Sequence, residues 1–159
     1  MSIAPVHFSS ASIEWETPTE LYRRLHHRWW FTLDVCATAD NAKCPAWYDK
    51  EQDGLLQSWR GQTCWMNPPY GREIARWVQK AALESRGPGT VVVALLPART
   101  DTRWWGDWVA PFARVTFIRG RLKFGGAKSG APFPSALAVY PKKAKPPRLQ
   151  LALFEGGAK

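Results

Sequence analysis

A four-residue stretch, Asn67-Pro68-Pro69-Tyr70, combines residue types suited to methylating a planar amino group. An exocyclic amino group conjugated to a ring is a poor nucleophile. It must be drawn toward tetrahedral geometry by acceptors for its two N–H bonds before it attacks a sulfonium methyl. The side-chain oxygen of Asn67 and the backbone carbonyl of Pro68 supply two such acceptors, and the tandem prolines fix the backbone that carries them. The tetrapeptide alone therefore predicts methyl transfer to a planar nitrogen, with a Pro-stiffened turn as the structural alternative.

Tyr70 adds a flat aromatic face for a base taken out of the helical stack. The same arrangement can serve adenine N6, cytosine N4 or the side-chain amide of a protein glutamine. A DNA-binding protein that keeps the scaffold without catalysis is an alternative of a different class. The tetrapeptide does not choose among these.

The elements around the tetrapeptide predict a strand followed by a helix. The apolar segment 63–66 leads into it, and the prolines must end that strand because they cannot donate to a sheet ladder. Downstream, apolar residues spaced three and four apart predict an amphipathic helix, with a buried face made of Ile74, Trp77, Val78, Ala81 and Ala82. Open α/β sheets bind ligands at the carboxyl ends of strands, which is the predicted position of Asn67.

Strands and helices alternate along the rest of the chain. Thr17-Pro18-Thr19-Glu20 predicts a helix start with Thr17 as its N-cap and Glu20 completing a capping box, and the helix continues to about residue 28. Strands are predicted at 31–35, 91–96, 115–118 and 136–140, and short helices at 54–59 and 104–109. The continuous apolar run 91–96 is typical of a strand buried on both faces of a parallel sheet. We therefore expect one α/β domain over residues 13–140, between a loose arm (1–12) and a basic, Pro-rich tail (141–159).

The positive charge is concentrated in the C-terminal third. Residues 99–148 contain 11 Lys or Arg and only two acidic residues, whereas the rest of the 159-residue chain is neutral, so this region carries the whole net charge of +9. Such a surface can follow a phosphate backbone, although a solvated face is the plain alternative. The ten tryptophans likewise fit either a small core or base stacking.

Several classes of protein do not fit this sequence. Three cysteines without a C-x-x-C pair argue against a disulfide framework or zinc ribbon, and the three histidines complete no metal-ligand pattern. Residues 1–10 do not resemble a signal peptide, and no apolar run reaches membrane-spanning length. We expect a cytoplasmic protein with no metal and no membrane partner.

Further strings accompany the tetrapeptide in a consistent order: Glu16-Thr17-Pro18, Leu33-Asp34-Val35-Cys36-Ala37, Asn41-Ala42-Lys43-Cys44-Pro45, Asp53-Gly54-Leu55, Trp59, Leu95-Leu96-Pro97-Ala98-Arg99-Thr100-Asp101-Thr102 and Arg119-Gly120-Arg121-Leu122-Lys123-Phe124. Over residues 13–140 they resemble the small phage-type Dam family of DNA N-6-adenine methyltransferases. The resemblance implies a shortened class I (Rossmann-like) methyltransferase sheet, S-adenosylmethionine as cofactor, and site-specific methylation of adenine N6 in DNA with the target base flipped out. It also implies a phage or prophage enzyme acting in a bacterial host cell.

The same resemblance assigns cofactor contacts by position. Asp34 and Ala37 end the first strand, where the family is expected to hold S-adenosylmethionine, and Asn67 also borders this site. Asp53 matches an acidic position near the adenosine, and Thr17 and Pro18 match the motif that covers the methionine end. Asp34 as a helix cap and Asp53 as a turn residue are the alternatives. Because no glycine lies between Asp34 and Gly54, the usual Gly-rich cofactor loop is absent, and residues 41–45 are its candidate replacement.

Basic residues on the loops after the predicted strands are the candidate DNA contacts: Arg72, Arg99, Arg119, Arg121 and Lys123. Ordinary surface charge is the alternative for each of them. Since one small domain has little room for a separate recognition module, any sequence preference must come from the loop that carries Arg121 and from Arg72 beside the tetrapeptide.

Overall fold

The computed structural model describes residues 14–147, which form one mixed sheet with helices packed against it. The elements in chain order are α1 (Thr19–Trp29), β1 (Leu33–Asp34), β2 (Ala46–Trp47), β3 (Thr63–Met66), α2 (Ile74–Glu84), β4 (Val91–Pro97), β5 (Arg114–Phe117) and β6 (Ser135–Tyr140). A π-helical turn (Trp105–Val109) precedes β5, and a 3-10 turn (Phe124–Gly126) precedes β6. The predicted arm, and residues 148–159 of the predicted tail, lie outside the described residues.

The strand order is β2-β1-β3-β4-β6-β5. The pairs β1–β2, β1–β3 and β3–β4 are parallel, and β6 is antiparallel to both of its neighbours. Strands β1 to β5 therefore run in one direction, and their carboxyl ends share one edge of the sheet, which we call the carboxyl edge. The chain passes from β1 to β2 on one side and then to β3 on the other, so the strand order reverses beside β1.

β4 is the central strand of the core. Val92 to Leu96 are fully buried, and the strand pairs with β3 on one side and β6 on the other. This confirms the prediction of a strand buried on both faces, which ends one residue later than predicted, at Pro97. Such a strand fixes β3, and with it the start of the Asn67 turn, in a rigid layer.

α2 confirms the predicted amphipathic helix, with all five predicted core residues buried. Its Trp77 stacks on Trp59 at a ring-centroid distance of 6.2 Å, and the Lys80 ammonium lies 5.2 Å from the Trp59 ring centre. The Trp59 indole N–H donates to the Gly54 carbonyl at 2.9 Å. Five of the ten tryptophans are buried and only Trp30 is largely exposed, which favours a role in the core over base stacking for most of them.

Two predicted local structures are wrong. α1 begins at Thr19 with Pro18 at the N-cap, so Thr17 lies one residue too early to cap the helix, and its hydroxyl accepts a hydrogen bond from Asn67. Residues 54–59 form turns rather than a helix, since Asp53 has a positive φ of 50° and Gly54 is pressed against β1. β2 was not predicted, and β1 is shorter than the predicted 31–35.

Within residues 14–147 no helix is long and apolar enough to cross a membrane.

Candidate functional site

A cavity of about 380 Å³ opens at the carboxyl edge, where the strand order reverses between β1 and β3. Four segments form its walls: residues 14–17, which we call the strap, the loop after β1, the segment after β2, and the turn from Asn67 into α2. Open α/β sheets bind ligands at such a reversal, and this volume is typical of a small-molecule site. The fold therefore places a ligand-sized cavity beside the tetrapeptide.

Most of the predicted cofactor residues meet in this cavity. Thr17, Asp34, Ala37, Asp53 and Asn67 all line it, and of the predicted set only Pro18 does not. Asn41 and Lys43, from the candidate replacement loop 41–45, also line it, whereas sequence reasoning missed Tyr48, Asp49, Gly54 and Trp65. Asp49 is the second residue after β2 and would have been a candidate if that strand had been recognised, but a two-residue strand gives no periodic signal.

Asp34 organises the loop that lacks glycine. Its carboxylate is buried and accepts the backbone N–H groups of Lys43 at 3.0 Å and Cys36 at 3.4 Å. Burial raises the pKa of Asp34 to about 6, and these two N–H donors partly offset the rise. Within the loop the Asn41 side-chain oxygen accepts the Thr38 N–H at 2.7 Å. No helix begins in this segment, so the helix-cap alternative for Asp34 is wrong.

Gly54, from a distant part of the chain, packs directly against the backbone that follows β1. A Cβ at Gly54 would lie 2.0 Å from the backbone oxygen of Val35, just beyond β1. The preceding Asp53 adopts the left-handed conformation, and its carboxylate accepts the Leu55 N–H at 3.0 Å. Asp53 is thus a turn residue that also lines the cavity.

The Asn67 side chain is held by the strap. Its Nδ2 donates to the Trp15 carbonyl and, at 3.0 Å, to Thr17 Oγ1. Because a carbonyl oxygen can only accept, the nitrogen of the amide must face the strap. The other atom of the amide, Oδ1, is buried and has no hydrogen-bond partner among the described residues. Asn67 Oδ1 is therefore a buried acceptor without a donor among the described residues.

Tyr70 is buried, with 6% of its surface exposed. Its hydroxyl donates to the Leu95 carbonyl at 3.0 Å, and burial holds the pKa of this phenol well above its ordinary value. Phe124 and Phe133, from the loop between β5 and β6, meet the Tyr70 ring edge to face. The role of Tyr70 as a stacking surface stays a prediction, and sequence reasoning did not identify the two phenylalanines around it.

The strap connects the walls of the cavity. Glu14 pairs with Lys50 at 2.7 Å, and Glu16 pairs with Lys43 at 3.4 Å. The Glu16 carbonyl accepts the Gly125 N–H at 2.9 Å, while the Trp15 ring packs on Phe124 and Phe133. The strap therefore links the loop after β1 and the segment after β2 to the loop between β5 and β6.

The predicted DNA contacts are all exposed: Arg72, Arg99, Arg119, Arg121 and Lys123. Arg99 follows β4 and Arg119 follows β5, so both lie at the carboxyl edge, and Arg72 lines the cavity itself. Among residues 14–147 none of the five forms an ion pair. The edge beyond β4 and β5 thus carries cations available to an anionic partner.

The cavity has the opposite character. Six acidic residues line it, Glu14, Glu16, Asp34, Asp49, Asp53 and Glu73, against three basic ones, Lys43, Lys50 and Arg72. Within residues 14–147 no three His, Cys, Asp or Glu side chains are grouped as metal ligands would be. An acidic cavity beside a basic edge provides separate places for a cationic small molecule and a polyanion.

Two comparisons of the sequence with known proteins gave matches. The family model described as DNA N-6-adenine-methyltransferase (Dam) matches residues 9–151. A protein named DNA N-6-adenine-methyltransferase from Haemophilus phage HP1 (strain HP1c1) is 31% identical over 119 residues, which are 73% of this chain and 68% of that protein. Residues 9–151, which the family model matches, include every wall of the cavity and the basic edge.

Proposed function

The chain belongs to the DNA N-6-adenine-methyltransferase (Dam) family and is a DNA adenine-N6 methyltransferase, and we propose that it transfers the methyl group of S-adenosylmethionine to adenine N6 at Asn67-Pro68-Pro69-Tyr70. The observation that carries this proposal is the unpartnered, buried Oδ1 of Asn67. Both N–H groups of the same amide are already used by the strap. The oxygen is therefore held ready for a donor, and the N6 amino group of adenine is a donor of the right kind.

The chemistry required of the protein at this position is modest. Asn67 Oδ1 accepts one N–H of the amino group, and we assign the second acceptor to the Pro68 carbonyl, which the tandem prolines hold rigidly. Two fixed acceptors draw the nitrogen toward tetrahedral geometry and stabilise the positive charge that develops on it. The target base must leave the helical stack to reach them, since N6 is paired inside a duplex.

The cavity fits S-adenosylmethionine in size and charge. When bound, this cofactor supplies a methyl group made electrophilic by its sulfonium. Its sulfonium and ammonium groups outnumber its one carboxylate, which suits a cavity with more acidic than basic residues. We assign its binding to Thr17, Asp34, Ala37, Asp53 and Asn67, which line the cavity, with Pro18 holding the strap where it joins α1.

We further propose that the sheet is a shortened class I (Rossmann-like) methyltransferase sheet. Two features support this assignment. The cavity lies where the strand order reverses between β1 and β3, as expected for a doubly wound sheet that binds a nucleoside-containing ligand. The single reversed strand, β6, is inserted between β4 and β5.

DNA is assigned to the basic part of the carboxyl edge. Arg99, Arg119, Arg121 and Lys123 are exposed and unpaired within the described residues, so contact with phosphates breaks no existing ion pair. Arg72 lies between this surface and the cavity. The phage origin of the similar protein supports the cytoplasm of a bacterial host cell as the place of the reaction.

Transfer of a labelled methyl group from S-adenosylmethionine to DNA tests the proposal. The wild-type protein should label DNA and leave protein substrates unlabelled, and Asn67→Ala should reduce labelling to background while remaining folded. Gln79→Ala, which removes an exposed amide from α2, is the matched control and should label DNA normally. Full activity of Asn67→Ala would refute the role of Asn67, and absence of label with the wild-type protein would favour a non-catalytic DNA-binding relative.

A further inference from the structure

We propose that Thr17 is a positioning residue for Asn67, in addition to lining the cavity: its hydroxyl oxygen holds the Asn67 amide in the rotamer that presents Oδ1 to the target amino group. This inference rests on the proposed function, because it assumes that Asn67 Oδ1 is the acceptor. It assigns to the strap a part in the reaction itself, beyond covering the cofactor.

The geometry is local and specific. Thr17 is 4% exposed, and its Oγ1 lies 3.0 Å from Asn67 Nδ2, fifty residues away along the chain. The N-cap position of α1 is occupied by Pro18, so Thr17 lies one residue before the helix cap. The Thr17 hydroxyl therefore does not cap α1, and it accepts a hydrogen bond from the side chain of Asn67.

The Asn67 amide must be held in place because the χ2 torsion of an asparagine side chain has only weak conformational preferences. An asparagine side chain has two broad, nearly equivalent orientations that exchange its oxygen and nitrogen. In the wrong orientation Nδ2 would face the amino group, placing donors against donors. The Trp15 carbonyl decides which atom faces the strap, and Thr17 Oγ1 satisfies the second N–H, so that both donors of Asn67 are used.

Thr17→Val tests the proposal, since valine preserves the shape and removes only the hydroxyl. One buried N–H of Asn67 then lacks an acceptor, and kcat at saturating cofactor and DNA should fall about tenfold. Thr17→Ser should restore most of the lost rate. Thr116→Val, the same change at an exposed site on β5, is the matched control and should leave kcat unchanged. A raised KM for the cofactor with unchanged kcat would overturn the positioning role.

A second readout does not depend on turnover. The chain has only two asparagines, Asn41 and Asn67, so selective ¹⁵N-asparagine labelling gives two side-chain NH₂ pairs in an NMR spectrum. Asn67→Ala assigns them, and Asn41 serves as internal reference. In Thr17→Val the Asn67 pair should shift upfield and exchange faster with solvent, while the Asn41 pair stays in place.

The two readouts separate this inference from the proposed function. An unchanged Asn67 pair in Thr17→Val would overturn the inference even if the wild-type enzyme is fully active. A wild-type protein that transfers no methyl group would defeat the proposed function, whatever the spectrum shows. Thermal unfolding of each variant keeps loss of folding from being read as loss of positioning.

Discussion

Gly54 is the position where a single methyl group should do most damage to the cavity. Its Cβ would lie 2.0 Å from the Val35 backbone oxygen and 3.2 Å from the Trp77 ring, whereas real Cβ atoms essentially never approach closer than 3.0 Å. The oxygen belongs to the backbone directly after β1, which is held by hydrogen bonding to β3. Gly54→Ala must therefore move one of two main-chain segments by about 1 Å, rather than turning a side chain aside.

The cost follows from that displacement. Forcing an extra methyl into a packed interior destabilises the folded protein by about 1–3 kcal/mol. Replacing glycine also lowers the entropy of the unfolded chain, which stabilises the folded protein by at most about 1 kcal/mol. With a shift of about 2–4 °C per kcal/mol for a chain of this size, Tm should fall by several degrees. Since Asp53 and Gly54 line the cavity, binding of S-adenosylmethionine should weaken as well.

Differential scanning calorimetry and isothermal titration calorimetry measure the two effects. Gly106→Ala is the control, because its Cβ would have no atom within 4 Å and the residue lies in an exposed helical turn. That variant should be as stable as the wild type or slightly more stable. If Gly54→Ala keeps both its Tm and its cofactor affinity, the description of Gly54 as a tightly packed wall of the cavity is wrong.

Two further predictions concern charge. Burial raises the pKa of Asp34 to about 6 from an ordinary 3.8. Relative to Asp34→Asn, the ligand-free wild type should therefore gain about 2 to 3 kcal/mol of stability as the pH falls from 7.5 to 4, and lose it as the pH rises through 6. Urea unfolding at several pH values measures this difference, and parallel curves of stability against pH for the two proteins would contradict it. Because the ionised Asp34 carboxylate attracts a cationic cofactor, the affinity for S-adenosylmethionine should instead rise as the pH rises through 6. In DNA binding, the double variant Arg121→Ala with Lys123→Ala should lower the slope of log K against log salt by about 1 for each lost phosphate contact. Arg114→Ala is the control and should leave the slope unchanged, because Arg114 lies at the opposite end of β5 from Arg119. An unchanged slope in the double variant would exclude Arg121 and Lys123 from the interface.

Periodic and chemically constrained features were predictable from the sequence. β4 and α2 each bury a regular apolar pattern, and Asn67 must follow β3 because prolines end a strand. Family resemblance added Asp34 and Asp53, which do line the cavity. β4, α2 and Asn67 depend on neighbours along the chain, so local patterns were sufficient for them, whereas Asp34 and Asp53 required the resemblance to a known family.

The missed features depend on contacts between distant segments. Thr17 has the local signature of a helix cap, yet its hydroxyl binds Asn67 instead. Gly54 lies in a segment that reads as helical, and only its approach to Val35 explains the glycine. Likewise Phe124 meets Tyr70 across the sheet edge, a contact that spacing along the chain does not encode.

The central claim is that this chain methylates adenine at N6 in DNA through Asn67. Unmethylated DNA can be incubated with the protein and S-adenosylmethionine, digested to nucleosides and analysed by mass spectrometry. N6-methyladenine should form with the wild-type protein and should be absent with Asn67→Ala. Methylation at cytosine N4, or no methylated nucleoside from a folded wild-type protein, would contradict this claim.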